Sequence, residues 1–192
     1  MNNDLKRPNT YKTLLMLALV FGPFFWLAFT DDGQQRTDLA LMFVLGKPEF
    51  NPALDTFHSG LTEARILETF PKLKFRCADG ANPFGDRLCG AEIGSFNQIP
   101  ASALTLFFLG ERLTAAKIVY RQSYHQAIQD WVRQRVAGRD AAVQRPTAPA
   151  DDLGVATEPV LDGALFFRDG ELGKDDEPAL LWISQVALDA RR

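Results

Sequence analysis

Polarity along the chain is uneven from the start. From Thr13 to Thr30 there are 18 residues without a charge, close to the roughly 20 a helix needs to cross a bilayer. The run predicts one membrane-spanning helix over 13–30, because a lone segment in hydrocarbon satisfies its backbone only as a helix, and Gly22-Pro23 bends such a helix without ending it. Lys6, Arg7 and Lys12 precede the run and Asp31 and Asp32 come directly after it. That bias predicts a cytoplasmic tail over 1–12 and places everything after Thr30 outside. A cleaved secretory signal is the competing reading, but its apolar region is shorter, about 7 to 15 residues, and ends on small side chains. Here the end is Trp26-Leu27-Ala28-Phe29-Thr30, which favours an uncleaved anchor, and both readings export the rest of the chain. A buried core helix is the poorest fit, since an all-round apolar helix leaves a small domain no polar face to turn to water.

The remainder reads as α+β. Residues 31–60 form a juxtamembrane segment containing Leu39-Ala40-Leu41-Met42-Phe43-Val44-Leu45, whose periodicity decides neither helix nor strand but which requires burial. An extracytoplasmic domain spans 61–192. Thr62 caps a short helix with Glu63 in its first turn, and Pro71 stops it. Leu73 to Cys77 and Cys89 to Phe96 read as strands. Ala103 to Leu109, Gly110-Glu111-Arg112 and Leu113 to Tyr120 read as a hairpin. Tyr124, Ile128, Trp131, Val132 and Val136 then recur at helical spacing up to Gly138. Residues 139–159 are rich in Ala, Pro, Asp and Thr and predict a mobile loop. Asp169-Gly170 predicts a second tight hairpin, before a final apolar run from Ala179 to Leu188. Together these imply an antiparallel sheet of about five to seven strands with two packed helices.

Charge narrows the partners. The 192 residues carry 21 Lys and Arg against 24 Asp and Glu, a net charge of −3. The cations are scattered along the chain, without the basic stripe nucleic acid requires or a polybasic run for lipid headgroups. Lys174-Asp175-Asp176-Glu177 reads as a solvated loop. The expected contacts are therefore the lipid bilayer, through 13–30, and another envelope protein.

Two cysteines fix the compartment further. Cys77 and Cys89 flank Ala-Asp-Gly-Ala-Asn-Pro-Phe-Gly-Asp-Arg-Leu, a turn-rich stretch that brings its ends together. They predict a disulfide, worth about 3 kcal/mol in the chain-entropy model, in an oxidising compartment such as a bacterial periplasm. His58 and His125 complete a nominal Cys2His2 set, but neither a C-x2-C nor an H-x3-H pair is present, which argues against zinc. Asp79, Asn82 and Asp86 lack the order of a calcium loop. No metal and no cofactor is expected.

Catalytic signatures are missing too: there is no G-x-S-x-G, P-loop, dinucleotide fingerprint or H-E-x-x-H. His58 sits before Ser59-Gly60 in a loop. The densest polar group is Tyr120-Arg121-Gln122-Ser123-Tyr124-His125, at a strand-to-helix junction where helix amides favour an anion. Arg121, Tyr124 and His125 are the candidate ligand-binding residues. The expectation is a membrane-anchored periplasmic interaction or accessory protein of the cell envelope. The alternative is a tethered binder or hydrolase of an envelope small molecule that uses those three residues.

Overall fold

The structure is a computed structural model and describes residues 9–30, 33, 36–38, 46–52, 57–137, 154–173 and 175–190. The chain divides into two compact units, Met1–Val44 and Leu45–Arg192.

The first unit contains α1 (Asn9–Phe29), 21 residues with Pro23 inside. It is longer than the uncharged run because Asn9 to Lys12 continue it as helix. Its apolar side chains, from Leu14 to Phe29, are almost all exposed. After the last turn, the Thr30 hydroxyl donates to the Trp26 carbonyl at 2.7 Å, and the Arg36 guanidinium lies over the Trp26 ring.

The second unit is a mixed α/β domain whose sheet has nine strands, more than the five to seven expected. In chain order these are β1 (Glu49–Phe50), α2 (Glu63–Thr69), β2 (Arg76–Asn82), β3 (Gly85–Glu92), β4 (Ser95–Phe96), β5 (Ile99–Leu109), β6 (Arg112–Tyr120), α3 (His125–Ala137), β7 (Val155–Val160), β8 (Gly163–Arg168), β9 (Ala179–Ser184) and α4 (Gln185–Asp189). The main path runs β1-β4-β5-β6-β9-β8-β7, and β3, carrying β2, pairs with the length of β5 that β4 leaves open. Among the described strands, only the β1–β4 pair is parallel.

Period-two alternation builds the core. Leu104, Leu106 and Phe108 of β5, Ile118 of β6, and Leu180 and Trp182 of β9 are buried on one face. Ile66 of α2 and Ile128 and Val132 of α3 join the same cluster. A seam of rings ties distant parts together. Trp182 stacks on Phe57 at 5.6 Å, Phe57 meets Phe50, Phe50 meets Phe96, and Phe96 meets Trp131 of α3 edge-on at 5.0 Å. Phe50 and Phe57 fall within the stretch expected to be juxtamembrane, yet they are core residues of the domain.

Several local expectations agree with the structure. The Thr62 side chain caps α2 by accepting from the Arg65 amide. Gly110, at φ +58°, turns β5 into β6, a conformation glycine adopts without steric cost. Cys77 and Cys89 face each other across β2 and β3 and form the disulfide.

Others need correction. The stretch between the cysteines is itself mostly strand, a β2–β3 hairpin with a bulge between Asp79 and Asn82. Val155–Val160 is strand, not loop. Its Pro159 is tolerated because β7 lies at the sheet edge, where a missing amide costs no ladder bond. Asp169-Gly170 does not close a two-residue hairpin, because β8 returns as β9 only at Ala179. The tight turn instead joins β7 to β8 at Leu161–Asp162. The apolar run 39–45 and residues 139–153 lie outside the described residues.

Trp182 is 0% exposed at the centre of the ring seam, so Trp182→Ala should cost about 3–5 kcal/mol. Urea unfolding of the full chain checks this, with Leu161→Ala, at an 82% exposed turn position, expected to stay within about 0.5 kcal/mol of wild type.

Candidate functional site

The strand-to-helix junction is built by the end of β6. Tyr120, the last residue of that strand, is 1% exposed. A 3-10 turn over Gln122–Tyr124 then leads into α3, which opens at His125. The Tyr124 amide closes the turn on the Arg121 carbonyl at 2.8 Å, and the Arg121 amide bonds the Pro100 carbonyl.

His125 is buried, at 8% exposure, and both ring nitrogens are engaged. Nε2 lies 2.9 Å from the Gly170 carbonyl oxygen and Nδ1 lies 2.7 Å from the Tyr120 hydroxyl. Nε2 also lies 2.9 Å from the Gln129 amide nitrogen, so the tautomer sets whether Nε2 donates to the Gly170 carbonyl or accepts from Gln129, and the Tyr120 hydroxyl takes the complementary role toward Nδ1. The Gln129 amide donates to the carbonyls of Gly170 and Arg168 at 2.9 and 3.2 Å. His125, Tyr120 and Gln129 thus each have partners within the cluster. It pins the end of β6 and the first turns of α3 to the connection after β8. Burial pushes the Tyr120 phenol well above its usual range. It also raises that of half-buried Tyr124, against the opposing charge of Arg121.

The predicted trio thus separates by role. His125 works with Tyr120 and Gln129 in a buried joint, while Arg121 and Tyr124 stay half-exposed on the turn. Gln129 was missed, although its i, i+4 spacing from His125 on a helix was a usable signal. His58 is exposed, and beside it the Ser59 amide bonds the Asp162 carboxylate that turns β7 into β8.

A second cluster surrounds the disulfide. Arg87 reaches Glu63 with two nitrogens, at 2.6 and 3.1 Å, and Asp79 with a third. Both carboxylates hold the guanidinium protonated, pushing its pKa up. The fork ties the first turn of α2 to the β2–β3 hairpin. Glu63, Cys77 and Cys89 come within 4.8 Å of one another, but the sulfurs are bonded to each other and the carboxylate is committed to Arg87. Metal binding needs free thiolates, so this donor set is structural.

The third feature is an open groove of about 710 Å³ whose rim includes Lys47, Lys72, Lys74 and Arg76. Local alternation creates it. Leu73, Phe75 and Cys77 point to the core, so Lys72, Lys74 and Arg76 are left exposed on the opposite side. Arg76 pairs with Gly90, and Gly90 with Thr105, which sets these residues in one row across the sheet. At Gly90 the space above the backbone is open: a β-carbon there would meet nothing within 4 Å. Lys47 pairs with Glu92 at 3.2 Å. Among the described residues, Lys72, Lys74 and Arg76 make no side-chain ion pair or hydrogen bond. The fold adds Lys47 to three cations that Lys72-x-Lys74-x-Arg76 already groups in the sequence.

Comparison of the chain with protein-family models, with curated proteins and with solved structures finds no match. The functional reading therefore rests on the residues themselves.

His125→Ala removes the partner of a buried hydroxyl and should destabilise the fold by about 1–3 kcal/mol, lowering Tm by several degrees in a thermal melt. The unfolded Tyr120 phenol titrates near 10 and the folded one higher, so the folded state keeps a proton that the unfolded state releases. This contribution is fully present below about pH 10 and declines as pH rises toward the raised folded value. Tyr120→Phe should flatten the fall in stability above pH 10 relative to wild type, as read by denaturant midpoints across pH.

Proposed function

We propose that this chain is a membrane-anchored protein of the cell envelope, with its N-terminus in the cytoplasm and its Leu45–Arg192 unit in an oxidising space, the bacterial periplasm, serving as an interaction or accessory protein. The observation that carries the reading is the combination, in one chain, of a membrane-length apolar helix, the one such helix among the described residues, and a disulfide-stapled domain. The 21 residues of α1 match the bilayer core, and their exposed apolar side chains suit lipid better than water. Lys6, Arg7 and Lys12 before the helix and Asp31 and Asp32 after it give the side, while a Cys77–Cys89 bond persists where thiols are not kept reduced.

The accessory role draws on the shape of the domain. Among the described strands, β1, β2 and β7 each have one partner, and the two longer ones, β2 and β7, leave edges of the kind that accept an added strand from another protein. The competing reading, a tethered binder or hydrolase centred on Arg121, Tyr124 and His125, gains no support from an imidazole whose two nitrogens are already occupied.

Two measurements on the full chain test the proposal. In whole cells, a maleimide reagent should modify Cys77 and Cys89 only after reduction; labelling without reductant contradicts an oxidising location. Affinity capture from membranes solubilised with the disulfide intact should retrieve a specific envelope protein, and capture of none counts against an interaction role.

A further inference from the structure

We propose that the groove rimmed by Lys47, Lys72, Lys74 and Arg76 is a binding site for a phosphate-bearing anion. Four cations border it and one acid, Glu92, which is matched to Lys47. That leaves the charges of Lys72, Lys74 and Arg76 without a carboxylate partner among the described residues, all addressing one concavity. Three like charges held together repel one another, and a bound oxyanion relieves that repulsion. The residue types fit the same ligand: Arg presents a planar fork that matches phosphate oxygens, and Lys adds mobile point charges.

The geometry adds room to charge. A volume of about 710 Å³ falls within the range of small-molecule sites, roughly 300–1,000 Å³. Gly90 lies beneath the rim with open space above it, and Ala103 and Thr105 supply small neighbours on the adjoining strand. A bulky side chain at Gly90 would project into this space. Helical amides play no part here, so the site depends on side-chain charge and is sensitive to salt.

Two sources carry such a group: the phosphodiester headgroup of an anionic phospholipid and soluble phosphate. The phosphate chemistry rests on the groove alone. The headgroup source rests also on the membrane reading, since only 16 residues separate the end of α1 from Gly46 on the rim.

Isothermal titration calorimetry on the full chain in neutral detergent, at low ionic strength, tests the site with two soluble probes, inorganic phosphate and glycerophosphoglycerol, the deacylated headgroup diester. Saturable binding of at least one is expected. Preference for the diester assigns the site to a headgroup, and preference for inorganic phosphate assigns it to the free anion. The triple variant Lys72→Gln/Lys74→Gln/Arg76→Gln should weaken binding at least tenfold. Gly90→Leu, which fills the floor and leaves every charge in place, should do the same. Arg65→Gln, in an exposed pair with Glu68 on α2, should bind as wild type does. Thermal melts of each variant identify any that fail to fold, and either groove variant suffices if the other does. No saturable binding of either probe, or wild-type affinity in the folded groove variants, overturns the proposal. The titration is indifferent to topology, so its failure would leave the tethered-domain reading standing.

Discussion

The ring seam from Trp182 through Phe57, Phe50 and Phe96 to Trp131 holds the domain together more than any single hydrogen bond does. Each ring comes from a different stretch: β9, the segment before α2, β1, β4 and α3. Aromatic side chains bury large areas and favour tilted or offset contacts. A continuous run of them therefore fixes the relative positions of elements that are far apart in sequence. The seam explains why a two-residue strand such as β1 has a defined place: Phe50 anchors it, and this brings it into register with β4. It also explains why α3 lies where it does, since Trp131 meets Phe96 while Ile128 and Val132 face the same core.

The polar clusters lie around that seam, while the Trp182 indole N–H sits inside it without a hydrogen-bond partner among the described residues. The Tyr120–His125–Gln129 joint lies at one end of β6 and satisfies itself, as most buried polar groups do. The Arg87 fork supports the disulfide from outside. In the groove, by contrast, Lys72, Lys74 and Arg76 stay exposed and without a carboxylate partner among the described residues. Self-satisfaction marks the first two as structural and its lack marks the groove as available to a ligand. The same physical test also makes His125, the most reactive residue by type, part of the scaffold.

Much of the fold was legible because short-range rules governed it. Thr62 as a cap, Gly110 in a turn, the period-two apolar runs of β5 and β6, and the helical stripe of α3 are all local patterns. The illegible parts depended on pairing at a distance. β7 holds a proline and few large side chains and becomes a strand only because β8 offers it an edge. The stretch between the cysteines is rich in turn formers, yet pairing of β3 with β5 extends it as hairpin. The β4–β5 turn uses Asn97 and Gln98, both at positive φ, where the familiar sequence signal is Asn-Gly. Candidate-site residues divided in the same way. Arg121, Tyr124 and His125 stood out by adjacency, whereas Lys47 joins Lys72, Lys74 and Arg76 only in three dimensions.

The central claim is that an apolar helix tethers an oxidised domain outside the cytoplasm, and side is its most exposed point. Protease added to intact spheroplasts carrying the full chain measures it directly. The account predicts that the Leu45–Arg192 unit is digested while a cytoplasmic marker survives, leaving a small membrane-bound fragment that contains α1. A domain that stays intact until the membrane is ruptured would contradict the assigned orientation and the compartment inferred from Cys77 and Cys89.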